Sequence, residues 1–185
     1  MNTMDFSIIR IARTVLHVTN LQASREFYVN GLGMIETESD ENHIYLRGLE
    51  EHSHHSLLLK KADKATVEVL SYKVEKEQDL EEIEKLFMSK GLKTKWMPKG
   101  TQHAIGRTLR AHDISGIPLE FFAEMTTVNR MLQRYDLYRG AKIQRIDHAN
   151  CAVPDVQKAY DFYIDNLGFS CSEYTETEDG DLWAA

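Results

Sequence analysis

The chain says nearly the same thing twice. Arg145 to Phe169 reads R-I-D-H-A-N-C-A-V-P-D-V-Q-K-A-Y-D-F-Y-I-D-N-L-G-F. Slid back 135 positions without a gap, Val153 meets Val18, Gln157 meets Gln22, Phe162-Tyr163 meets Phe27-Tyr28, and Leu167-Gly168 meets Leu32-Gly33. An internal repeat constrains architecture more than any local pattern, because each copy must be one supersecondary unit with its own hydrophobic face. A weaker echo lies 60 positions on from the first copy, where Phe87, Gly91 and Leu92 answer Phe27, Gly31 and Leu32. One difference carries chemistry: His148 stands where the first copy has Arg13.

The copies share one local plan. Ile143 to Val153 is apolar and β-branched, which predicts a strand, and Pro154 closes it because proline has no ladder donor. Asp155 is the expected N-cap of a helix whose apolar positions, Val156, Ala159, Phe162 and Tyr163, recur at three-to-four spacing. Asn20 holds the same place in the first copy, and Gly31 and Gly168 end or follow the helices. Between the copies, strands are expected at Ile11 to Val18, Met34 to Glu38, His43 to Arg47, Ser56 to Lys60, Thr66 to Val74, Leu92 to Met97, Ile105 to Ala111 and Pro118 to Ala123, with a helix at Asp79 to Lys90. The reading is an α+β chain of paired βαβββ units. Residues 1–127 make one complete module, 128–142 a connecting helix on Met131, Tyr135 and Tyr138, and 143–185 the start of a second module, with a further strand at Phe169 to Tyr174. The chain stops before the later strands of that unit, so the second module is expected to be truncated.

Composition narrows the function. At 185 residues and 42% hydrophobic, the chain can bury a sizeable core. A net charge of −7 argues against nucleic acid or an anionic membrane surface as a partner. No basic, apolar leader opens the chain and no apolar run approaches the roughly 18 residues of a membrane span. Cys151 and Cys171 have no C-x-x-C spacing and read as reduced thiols in a cytoplasmic protein.

Three motifs then carry a family resemblance: L-H-V-T-N-L-Q-A-S-R-E-F-Y-V-N-G-L-G at Leu16 to Gly33, D-I-S-G-I-P-L-E-F-F at Asp113 to Phe122, and R-I-D-H-A-N-C-A-V-P-D-V at Arg145 to Val156. The chain resembles the N-terminal module and the opening of the C-terminal module of extradiol ring-cleavage dioxygenases, of the catechol and homoprotocatechuate 2,3-dioxygenase type in the vicinal-oxygen-chelate superfamily. The resemblance implies a non-haem Fe(II), occasionally Mn(II), on two histidines and one glutamate in the C-terminal module. The substrates it implies are a small aromatic diol and O2, and the full-length protein would be a homo-oligomer. A two-histidine, one-carboxylate face suits this chemistry, since it leaves positions for a bidentate catecholate and dioxygen. His148 matches the first ligand, and Asn150 is implied at the substrate edge of the site. The other two ligands and the acid-base histidine would lie past Ala185, so the chain by itself is expected to be inactive.

The remaining candidates take plainer readings. Glu120, in P-L-E-F-F, is expected to pair with an arginine such as Arg13 and not to ligate a metal. His52, His54 and His55 are expected on a surface hairpin, because adjacent strand residues point to opposite faces. His17 reads as a satisfied core histidine, and Met88, Met97 and Met131 as packing residues. A small-molecule-binding or resistance-type protein of the same superfamily is the alternative function. A glyoxalase-like isomerase is weaker, because Arg13 argues against a metal site completed by the first module.

Overall fold

The computed structural model describes residues 4–185. Its frame is an eight-stranded sheet in the order β2-β3-β4-β1-β5-β8-β7-β6. The first half holds β1 (Ile8–Val18), β2 (Ile35–Ser39), β3 (His43–Arg47) and β4 (Leu57–Lys61); the second holds β5 (Thr66–Val74), β6 (Thr94–Met97), β7 (Thr108–His112) and β8 (Pro118–Phe122). β1 runs parallel to β4 and β5 parallel to β8, while β1 and β5 meet antiparallel at the centre. The halves are thus two βαβββ units with matching internal order. Six of these strands lie within a residue or two of their sequence-based bounds; β1 and β7 start three residues away from theirs.

One face of the sheet carries helices. α1 (Leu21–Arg25) continues as a π-turn over Glu26–Gly31, and Leu21, Tyr28 and Val29 pack on Ile44, Leu46, Leu57 and Leu59. α2 (Asp79–Ser89) buries Leu80, Ile83 and Phe87 against Leu70, Leu109, Leu119 and Phe121. α3 (Val156–Leu167) joins this second core through Phe162 and Leu167. Tyr163 adds a polar tie, its hydroxyl donating to Asp113 Oδ2 at 2.9 Å. Asp113 shapes the β7–β8 turn, since its Oδ1 accepts from Ser115 N and Ile117 N at 2.8 and 2.9 Å.

The repeat survives in backbone detail. The N-caps Asn20 and Asp155 sit at φ −139°, ψ 99° and φ −140°, ψ 101°, and each side chain accepts from the amide three residues on. Gly33 and Gly168 both adopt the left-handed region, at φ 77° and 72°, where glycine is the unstrained choice. Met34 N reaches Tyr28 O at 3.0 Å, and 135 positions on Phe169 N reaches Tyr163 O at 3.1 Å.

Three expectations fail, the first two for backbone reasons. Ile143 to Val153 and Phe169 to Tyr174 form no strands; the tail's only ladder is the hairpin of β9 (Thr175–Glu176) and β10 (Leu182–Ala184). A strand is defined by its partners, and β1 has β4 and β5 as neighbours. Beside 143–153, Leu32, Leu49 and Glu50 make backbone bonds to Ile143 and Gln144, and among the described residues nothing continues a ladder along 145–153. Residues 128–142 are not a connecting helix either, and only a 3-10 turn at Tyr135–Leu137 forms. Some of their amides bond outward, Val128 N to His52 O at 2.7 Å and Met131 N to Leu49 O at 2.8 Å, and those that bond within the segment reach only three residues back, as Leu137 N does to Arg134 O at 2.8 Å. Gln133 and Lys142 sit at φ 64° and 57°, which no α-helix accommodates. Met88 is 63% exposed, so it is not a core residue. Among the described residues no helix is long and apolar enough to cross a membrane.

Candidate functional site

His148 lies on the irregular segment after the turn, with its side chain 85% exposed and Nδ1 3.6 Å from Asp147 Oδ2. Asn150 is exposed on the same segment. The strand on which both were expected, Ile143 to Val153, is not formed there. The segment is tied to the first module at its start: Arg145 Nη1 donates to Glu50 Oε1 at 2.7 Å, and Ile146 N to Glu51 Oε1 at 3.2 Å.

The helix-free face of the first module holds a charged network. Arg13, on β1, and Glu120, on β8, are 1% and 0% exposed and 2.7 Å apart, so the expected ion pair is present. Glu120 Oε1 also accepts from Ser71 at 2.9 Å, and Oε2 from Gln102 at 2.8 Å, Arg110 Nε at 2.8 Å and Thr108 at 3.1 Å. Burial pushes the Glu120 carboxyl upward, but Arg13 and Arg110 outweigh it and hold it below its usual range. A carboxylate with five donors has no lone pair to spare for a metal.

Glu68 extends the network. β1 steps by one residue from Val15 to Leu16 while its partners on β5 step from Val69 to Val67, so Glu68 is the extra residue of a β-bulge. Its Oε2 accepts from Lys60 Nζ at 2.7 Å and His17 Nε2 at 2.8 Å, and Oε1 from Arg110 Nη1 at 2.9 Å. Burial opposes the Glu68 charge, yet the hydrogen bonds from Lys60 and His17 win and lower its pKa to about 2. His17 is therefore a partly exposed hydrogen-bond partner of Glu68 and not a core histidine.

Beside the network stands a group the sequence reading missed. His54 and His55 are buried, 6% and 0% exposed, and only His52 stays on the surface. The hairpin expectation fails because Ser53 bridges to Thr127 and His54 N bonds Thr126 O at 2.9 Å, so the 124–128 segment covers the pair. Glu38 Oε2 lies 3.3 Å from His54 Nε2 and 2.8 Å from His103 Nε2. Glu38, His54 and His103 offer donor atoms all within 4.8 Å of one another. His54 Nδ1 faces His55 Nδ1 at 3.0 Å, and His55 Nε2 faces Arg13 Nη1 at 3.3 Å. Arginine only donates, so His55 Nε2 accepts, His55 Nδ1–H donates to His54, and His54 donates from Nε2 to Glu38. Burial, with the Arg13 charge behind it, pushes the His55 pKa well below its usual value, and burial lowers that of His54. The hydrogen bond to His103 leads in holding the Glu38 carboxyl low. The three groups come from β2, the turn before β4 and the β6–β7 loop, so no motif spacing could join them.

Two mirrored βαβββ units sharing one sheet define the vicinal-oxygen-chelate fold. Residues 67–126 match the catechol 2,3-dioxygenase-like N-terminal domain, and residues 145–185 match the glyoxalase/bleomycin resistance protein/dioxygenase superfamily. A manganese-dependent 2,3-dihydroxybiphenyl 1,2-dioxygenase from Geobacillus genomosp. 3 is 24% identical over 96% of this chain and 59% of its own. A metapyrocatechase from Pseudomonas sp. (strain CF600) is 26% identical over 96% of this chain and 60% of its own. Among solved structures, homoprotocatechuate 2,3-dioxygenase from Arthrobacter globiformis superposes with a TM-score of 0.90 at 40% identity, covering 96% of this chain and 55% of that one. The Brevibacterium fuscum enzyme in complex with 3,4-dihydroxyphenylacetate gives 0.91 at 38% identity, over 96% and 56%. The chain has the vicinal-oxygen-chelate fold, and the relatives it resembles are extradiol dioxygenases. It spans between about half and three fifths of the length of the relatives it matches.

Proposed function

We propose that this chain supplies the non-catalytic first module and the first ligand segment of an extradiol dioxygenase, which opens a catechol ring with O2. The observation that carries the reading is the contrast at equivalent positions of the repeat: Arg13, buried and neutralised by Glu120, against an exposed His148. The first copy has filled its ligand positions with an ion pair, which leaves metal chemistry to the copy that keeps histidine. His148 is assigned as the first of three ligands to Fe(II), with Mn(II) as the second choice, and Asn150 as a contact to bound substrate. The substrate is a small aromatic diol, with 3,4-dihydroxyphenylacetate favoured over catechol by the 40% and 38% identities above. The setting is the cytoplasm, with Cys151 and Cys171 reduced, and the full-length form a homo-oligomer.

Around His148 the described residues do not fit such an ion, because Asp147, at 3.6 Å, is the sole acidic or imidazole group paired with it. No step of ring opening is therefore assigned to this chain's own groups. They provide the rigid floor, with every oxygen of Glu120 and Glu68 hydrogen-bonded. The small-molecule-binding alternative is disfavoured by the same feature, since an ion network and not an apolar pocket fills this face.

The test is a chimera in which residues 1–185 continue into the C-terminal remainder of the Arthrobacter globiformis enzyme. It should turn 3,4-dihydroxyphenylacetate into a yellow ring-opened product, and His148→Ala should lower metal affinity and rate by at least about 10–100-fold. A folded, iron-loaded chimera without activity, or one indifferent to His148→Ala, would contradict the assignment.

A further inference from the structure

We propose that Glu38, His54 and His103 form a divalent transition-metal site on the first module, separate from any site built on His148. The donor atoms lie within 4.8 Å of one another, and Glu38 Oε2 is 3.3 and 2.8 Å from the two imidazole nitrogens. An ion with bonds of about 2.0–2.2 Å sets its ligand atoms roughly 2.9–3.4 Å apart, from right-angle to tetrahedral arrangements. The two carboxylate–imidazole distances are already close to that spacing, and the two imidazole nitrogens lie within 4.8 Å of each other. Two imidazoles and one carboxylate select zinc, cobalt, nickel or ferrous iron over calcium and magnesium, which prefer all-oxygen sites.

The surroundings are those of a site that binds and stays accessible. His54 is fixed by its backbone bond to Thr126 and by Tyr45, whose ring lies 5.6 Å from it and 5.1 Å from His103. Tyr45 is 7% exposed and floors the cluster. Glu38 and His103 are 51% and 48% exposed, so water can complete the coordination. As ion pairs alone, contacts this exposed contribute little to stability.

Binding has one structural consequence. A metal takes the Nε2 lone pair of His54, so the proton moves to Nδ1 and points at His55. His55 must then accept with Nδ1 and carry its own proton on Nε2, which gives up the 3.3 Å hydrogen bond from Arg13. Arg13 keeps its 2.7 Å bonds to Glu120 and Gln102, so the network beside the site persists.

The experiment uses the 185-residue chain and Co(II), read by its visible absorption, with Zn(II) as competitor. One Co(II) should bind with a ligand-field spectrum and be displaced by Zn(II). Glu38→Gln and His103→Ala should each weaken binding by about 10–100-fold, and His148→Ala should leave it unchanged. Both rim positions are about half exposed, and far-ultraviolet circular dichroism checks that the variants fold. Wild-type binding weaker than millimolar, or affinity unchanged in Glu38→Gln and His103→Ala, overturns the proposal. Loss in His148→Ala alone overturns it too and assigns the metal to the family position, so the two readings fail separately.

Discussion

Glu120 is completely buried and its charge is shared between Arg13 and Arg110, the second of which also reaches Glu68. Breaking a buried pair by removing one partner leaves the other charge uncompensated, at a cost of about 3–5 kcal/mol. Glu120→Gln is expected to lower the unfolding free energy by that much at pH 7, read from urea denaturation; a loss below about 1 kcal/mol would show that the network is not structural. His55 sets the acid limit. The folded chain holds its pKa well below 6.5, so between that value and the lower folded one the unfolded chain binds a proton that the folded chain refuses. Stability is therefore complete above pH 6.5 and falls as pH drops below it, by up to about 1.4 kcal/mol per pH unit for one group. His54 adds in the same direction. Denaturation midpoints measured from pH 7.5 to 5.5 check this, and a flat or rising profile would refute it. Arg13 and Glu120 were legible in sequence because the repeat displays Arg13 against His148. His103 and Gln102 were not, since a loop brings them to residues far away in the chain.

Elements were legible where their partners are local, and illegible where they depend on the rest of the molecule. The run T-V-E-V-L-S-Y-K-V gives β5 from Thr66 to Val74 as expected, because its neighbours exist and its apolar residues have faces to fill. Ile143 to Val153 has an equally strand-like composition and no ladder, which composition cannot reveal. That segment is instead held by its start, where Leu49 N and Glu50 N bond Ile143 O and Gln144 O at 3.0 and 3.1 Å. The approach requires Gly48, since a Cβ there would meet Gln144 O at 2.1 Å. Gly48→Ala should therefore release residues 143–145 and speed amide exchange at Leu49 and Glu50, while β1 and β5 stay protected. Unchanged exchange at those two amides would contradict the contact. At α3, Asp155→Ala removes the cap on Lys158 N and should cost about 1 kcal/mol of helix stability. Faster exchange confined to the first turn of α3 is the sign to look for.

At the scale of the molecule, two matched units close into one sheet and the third lends its helix to their outer core. Phe162 meets Phe87 edge to face with centroids 5.8 Å apart, so α3 is part of the hydrophobic interior. Limited proteolysis is expected to cut first between 145 and 154, where no ladder protects the backbone, leaving the sheet intact and α3 docked until later. The central claim is that the first module is a scaffold with its ligand positions closed by Arg13 and Glu120, and that ring cleavage depends on His148 in company this chain does not provide. The direct measurement is the assay of the 185-residue chain with Fe(II) and 3,4-dihydroxyphenylacetate under air, followed by absorbance of the yellow ring-opened product. The account predicts no product above the rate of Fe(II) alone. Product at an enzymatic rate, surviving His148→Ala and vanishing with His103→Ala, would contradict it and move the chemistry to the first module.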